Sequence, residues 1–100
     1  MDKHRQLEEY KRMLKDAIDT DGVDFCIDCL IEECAELIVA IRHYRRGRTN
    51  VNKVIEEMAD VNLMCDMVRI GLDNEVGFYD VIKQKSVRVG ERIAFKKSKR

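Results

Sequence analysis

Not one proline interrupts the 100 residues of this chain. Every backbone N–H is therefore available to a helix ladder, and the breaks fall to glycine and small polar residues. These cluster at Asp21-Gly22, at Gly47 through Asn50 and at Gly71 through Gly77. Four helices are predicted between them. The first runs from about Asp2 to Ile18, with Leu7, Tyr10, Leu14 and Ile18 on one stripe. The second runs from about Asp24 to Arg46, closing on His43, Arg45 and Arg46 at its negative dipole end, with Gly47 as the residue after the cap. The third spans about Val51 to Leu72 with Asn50 as N-cap, and the last about Val76 to Phe95 with a weak point at Gly90.

Short connections between such segments favour antiparallel neighbours, so the fold class is all-α, a single antiparallel four-helix bundle-like domain over residues 1–100. A chain this short covers little apolar surface alone, and a homodimer or dimer of dimers is expected. Nineteen basic residues balance nineteen acidic ones, which leaves no global field to recruit nucleic acid or an anionic membrane. The basic residues Lys96, Lys97, Lys99 and Arg100 read as a flexible, solvated tail over 96–100. Cys26 and Cys29 form a CxxC, but no second such pair or paired histidines complete a zinc set. Free thiols among apolar residues, a charged start from Asp2 onward and no apolar run of membrane-spanning length place the chain in the cytoplasm as an expectation.

Some carboxylates sit where helix periodicity does not want them. At ~100° per residue, Cys26, Leu30, Leu37, Ala40 and Tyr44 form one apolar arc of the second helix, and Glu33 falls in its middle. Glu36 lies at its edge, and Glu32 points further out. On the third helix, apolar round most of its circumference, Glu57 lies between the directions of Met64 and Val68, and Asp60 between those of Met64 and Met67. Burying ionised carboxylates without a counter-charge costs several kcal/mol. The i, i+3 pairs Glu33/Glu36 and Glu57/Asp60 would assemble four oxygen ligands for Mg²⁺ or Mn²⁺ if the two helices lie side by side. Taken singly, each pair also fits a solvated, salt-bridged face. The absence of a Glu-x-x-His argues against a di-iron centre. On the last helix Lys85, Arg88 and Arg92 flank the stripe Phe78, Ile82, Val89 and Ile93, either as a solvated edge or as a phosphate clamp.

The blocks Glu32-Glu33-Cys34-Ala35-Glu36-Leu37 and Glu56-Glu57-Met58-Ala59-Asp60-Val61 resemble the EExxE and ExxD signature of the MazG-type all-α nucleoside triphosphate pyrophosphohydrolases. The likeness runs from about Phe25 to Arg92. It implies a Mg²⁺-dependent enzyme, Mn²⁺ being an alternative ion, that cleaves a nucleoside triphosphate to the monophosphate and pyrophosphate. It also implies Glu33, Glu36, Glu57 and Asp60 as metal ligands, Glu32 as a water-orienting group and, more loosely, Lys85 and Arg88 as phosphate contacts. Phe25, Tyr44, Phe78 and Tyr79 are scattered candidates for contacts to a base. The competing class is a non-catalytic helical interaction module whose buried acids pair with basic residues of a partner subunit. A nucleic-acid-binding helical protein is disfavoured by the balanced charge.

Overall fold

The computed structural model describes residues 2–100, which form four helices and, among those residues, no strand: α1 Lys3–Asp21, α2 Val23–Arg45, α3 Val51–Gly71 and α4 Glu75–Ser98. No helix is long and apolar enough to cross a membrane. Capping explains the boundaries. The Asp2 carboxylate accepts from the Arg5 backbone N–H at 2.9 Å, and Asn50 caps α3 by accepting from Lys53 N–H at 3.3 Å. A single residue, Gly22, joins α1 to α2 at φ 86° and ψ 156°, a conformation open essentially to glycine alone. That one-residue joint lets α1 continue past Ile18 to Asp21. At the end of α2, Gly47 at φ 72° donates to Tyr44 O, and Arg48 N–H reaches back to His43 O at 2.8 Å, the paired bonds of a Schellman cap. α4 continues through Gly90 and ends one turn beyond Phe95, so Lys96 and Lys97 occupy its last turn rather than a tail. Their charges sit at the negative end of the helix dipole, and Ser98 Oγ donates to Phe95 O at 2.6 Å.

α2 and α3 form an antiparallel hairpin, and α1 packs across one side of it. The core is the contact of Leu14 with Cys26, Met67 and Val68, surrounded by Tyr10, Ala17, Ile18, Leu30, Leu63 and Met64. α3 is the central helix, touching the other three, whereas α4 touches α3 alone and contributes no buried residue. The radius of gyration is accordingly 17.2 Å, against about 13 Å for a compact chain of this length.

One polar network ties α1, α3 and α4 together. Tyr10 OH donates to Asp66 Oδ2 at 2.7 Å and Arg69 Nη1 to Asp66 Oδ1 at 2.6 Å. The Arg69 guanidinium lies 5.1 Å from the Phe78 ring centroid and 5.4 Å from that of Tyr79. Burial and the hydrogen bond to Asp66 push the Tyr10 phenol up to about 12. Burial also pushes the Asp66 carboxyl upward, but the hydrogen bonds from Tyr10 and Arg69 and the charge of Arg69 outweigh it, leaving the net value below the usual carboxylate range. A carboxyl depressed in the folded state stabilises fully above its unfolded value of ~3.9, and that contribution is lost as pH falls through the folded value. Asp66→Asn should therefore cost about 1–2 kcal/mol at neutral pH, the lower figure reflecting solvent screening, and flatten the acid limb of a helicity titration below about pH 4. An unchanged acid limb would contradict this assignment.

Candidate metal centre

The five residues between α2 and α3 turn the chain tightly enough to set the start of α3 against the second half of α2. Glu57 then faces Glu33 and Glu36, which are one turn apart. One carboxylate oxygen from each of the three lies within 4.8 Å of the others. Glu57 is 6% exposed, the one buried charged residue among those described. Its Oε1 accepts from Lys53 Nζ at 2.9 Å, while its Oε2 is buried without any hydrogen-bond partner. Glu33 Oε2 is likewise buried and unpartnered. Three clustered carboxylates thus meet one ammonium group. Desolvation, then the charges of Glu36, Asp60 and Glu57, push the Glu33 carboxyl above its usual range.

The sequence-predicted ligands are placed unequally. Glu33, Glu36 and Glu57 come together, and Asp60, one turn after Glu57 and half-buried, is close enough for its charge to act on Glu33 while lying outside that set of three. Glu32 is exposed. Lys85 and Arg88 are not brought to the cluster: both are exposed on α4, which touches only α3, and neither forms an ion pair among the described residues. The α4 stripe reads as core in sequence, but α4 leaves the hairpin instead of lying along it. The CxxC holds no disulfide, and burial, with Asp21 for Cys26 and with Glu32 foremost for Cys29, pushes both thiols upward, away from reactive thiolate.

Beside the cluster runs a groove of about 670 Å³. Glu36 and Glu57 form one wall, Ala35, Val39 and Ala40 the floor along α2, and His43, Arg48, Thr49 and Lys53 the end nearest the α2–α3 connection. Sequence reasoning assigned His43 to the helix dipole and passed over Lys53. The i, i+4 spacing of Lys53 and Glu57 was a readable signal for that pair. The groove itself exists only once the hairpin has closed.

No family model matches the chain, and neither a curated protein nor a solved structure matches it.

Proposed function

We propose that the chain is a divalent-metal-dependent nucleoside triphosphate pyrophosphohydrolase of the MazG type, acting in the cytoplasm. The observation that carries this reading is the pair of buried carboxylate oxygens, Glu57 Oε2 and Glu33 Oε2, left without partners in a cluster of three carboxylates. A buried oxygen such as Glu57 Oε2 carries a cost of about 1–3 kcal/mol unless something satisfies it, and hard carboxylate donors from two helices suit Mg²⁺ or Mn²⁺. Glu33, Glu36 and Glu57 would hold the ion, with Asp60 as the neighbouring acid able to complete the set. When bound, the ion supplies charge neutralisation for the phosphate chain and acidifies water at neutral pH. The chain's own part is to hold the donors rigidly on two packed helices and to keep solvent from the Glu33 and Glu57 side of the cluster.

Cleavage between the α and β phosphates yields pyrophosphate and a nucleoside monophosphate in equal amounts. Product analysis with Mg²⁺ present tests this, and release of orthophosphate with nucleoside diphosphate would contradict it. The non-catalytic module reading expects no product in either form.

The same reading includes self-association. Exposed on the hairpin, Ile31, Cys34, Ile38 and Ile41 of α2 recur at alternating spacings of three and four, as do Val51, Ile55 and Met58 of α3. Ile31 is 63% exposed and Ile38 and Ile55 are each 57% exposed. Burial and then the nearby Cys34 push the Cys65 thiol upward, so the Cys34 row of α2 runs close to α3. Helices of 23 and 21 residues present roughly 600–700 Å² of such a face, close to the ~800 Å² per partner of a stable interface. Two copies pairing here would complete a four-helix core. Ile38→Glu, at a side chain more than half exposed, should yield a helical monomer in sedimentation where the wild type is a dimer. A monomeric wild type at tens of micromolar would contradict the pairing.

A further inference from the structure

We propose that the groove beside the acidic cluster is the seat of the triphosphate, with Arg48 and Lys53 binding phosphate oxygens and His43 stacking on the base. This rests on the reading of the chain as a metal-dependent triphosphate hydrolase, and assigns the phosphate contacts to the α2–α3 connection rather than to Lys85 and Arg88.

The groove's volume of about 670 Å³ falls in the range of small-molecule sites, roughly 300–1,000 Å³. Its charge is ordered: Glu36 and Glu57 belong both to the cluster and to the groove wall, and the basic groups gather at the end by the connection. An ion held by those acids faces the groove, and the oxygens of a phosphate chain lying on it meet Lys53 and Arg48 next. The acids alone would not make a ligand site. The buried, unpartnered Glu57 Oε2 at this wall is the independent sign that a cation belongs here.

The basic groups are fixed at their backbones and exposed along their side chains. Arg48 N–H is locked to His43 O in the α2 cap, and Lys53 N–H to the Asn50 side chain, whereas both side chains are exposed. Lys53 Nζ already stands 2.9 Å from Glu57 Oε1, where it neutralises part of the cluster. Guanidinium matches phosphate geometry in two parallel bonds, and an ammonium serves as a point charge. The small side chains of Ala35, Val39 and Ala40 leave a shallow apolar floor, and His43 is the single ring side chain on the groove. A flat heterocycle fits that floor with the imidazole as its stacking partner.

The test compares the binding of two probes to the Mn²⁺-loaded protein: a nucleoside triphosphate whose α,β-bridging oxygen is replaced by methylene, and inorganic tripolyphosphate. Arg48→Ala should weaken both at least about tenfold, as loss of a charge-assisted contact requires. His43→Ala should weaken the nucleotide several-fold and leave tripolyphosphate unchanged. The double variant Lys85→Ala, Arg88→Ala should stay within about twofold for both probes. Neither Arg48 nor His43 is buried, so packing losses do not confuse the comparison. Binding that survives Arg48→Ala but collapses in the Lys85/Arg88 variant would overturn the assignment. Wild-type protein that binds Mn²⁺ but neither probe would also overturn it while leaving the metal centre standing. Failure to bind Mn²⁺ would remove the underlying reading and this assignment with it.

Discussion

Glu57→Gln is expected to lower Mg²⁺-dependent turnover by about a thousandfold while leaving a folded helical protein. A divalent ion contributes several kcal/mol of charge stabilisation in the transition state, and each 1.4 kcal/mol lost is a factor of ten. Glutamine keeps the shape and one oxygen but weakens the hold on the ion. The same substitution has a second, opposite signature. Without metal, Glu57 is buried beside Glu33 and Glu36, and neutralising it relieves repulsion at the expense of the half-exposed Lys53 pair. The metal-free melting temperature should therefore hold or rise, and the increase on adding millimolar Mn²⁺ should largely vanish. A glutamate of purely structural importance would behave the other way, with the metal-free variant destabilised and no metal response to lose. Thermal melts with and without Mn²⁺, alongside turnover, separate the two.

Leu14→Ala is expected to be the most destabilising single change in the fold. Leu14 is 1% exposed and is one of two side chains buried almost completely, the other being Cys26. Truncating a fully buried leucine costs about 2–5 kcal/mol, a large part of the roughly 5–15 kcal/mol that holds a small domain together. α1 also has little else to hold it: beyond the core contacts, its tie to α3 is the Tyr10–Asp66 hydrogen bond. Urea unfolding should show a lower midpoint with an unchanged slope. Because the acidic cluster belongs to α2 and α3, saturating Mn²⁺ should recover part of the loss by binding only the folded state. A cost below about 1 kcal/mol would mean that α1 is not anchored through Leu14.

Much of this was legible in the residues. Gly47 and Asn50 carry their capping roles in their chemistry, because few residues take a positive φ or cap a helix N-terminus well. Glu33 and Glu57 were conspicuous because helix periodicity places them among apolar neighbours, and periodicity is local enough to survive without tertiary information. α4 was not legible. Its stripe of Phe78, Ile82, Val89 and Ile93 reads as core, yet these side chains are 38–47% exposed, because an amphipathic pattern records that a face needs covering without saying which molecule covers it. Lys53 and Arg48 escaped for a related reason. A groove is made by two helices and their connection, and a basic residue at its edge has the same local sequence as one facing solvent.

The central claim, that Glu33, Glu36 and Glu57 form a metal centre, is tested most directly by calorimetric titration of Mn²⁺ into the wild-type protein and into Glu57→Gln. Saturable binding by the wild type, weakened at least about tenfold in the variant, is the result that the two unpartnered carboxylate oxygens require. Absence of binding up to millimolar Mn²⁺, or equal binding by both proteins, would contradict it.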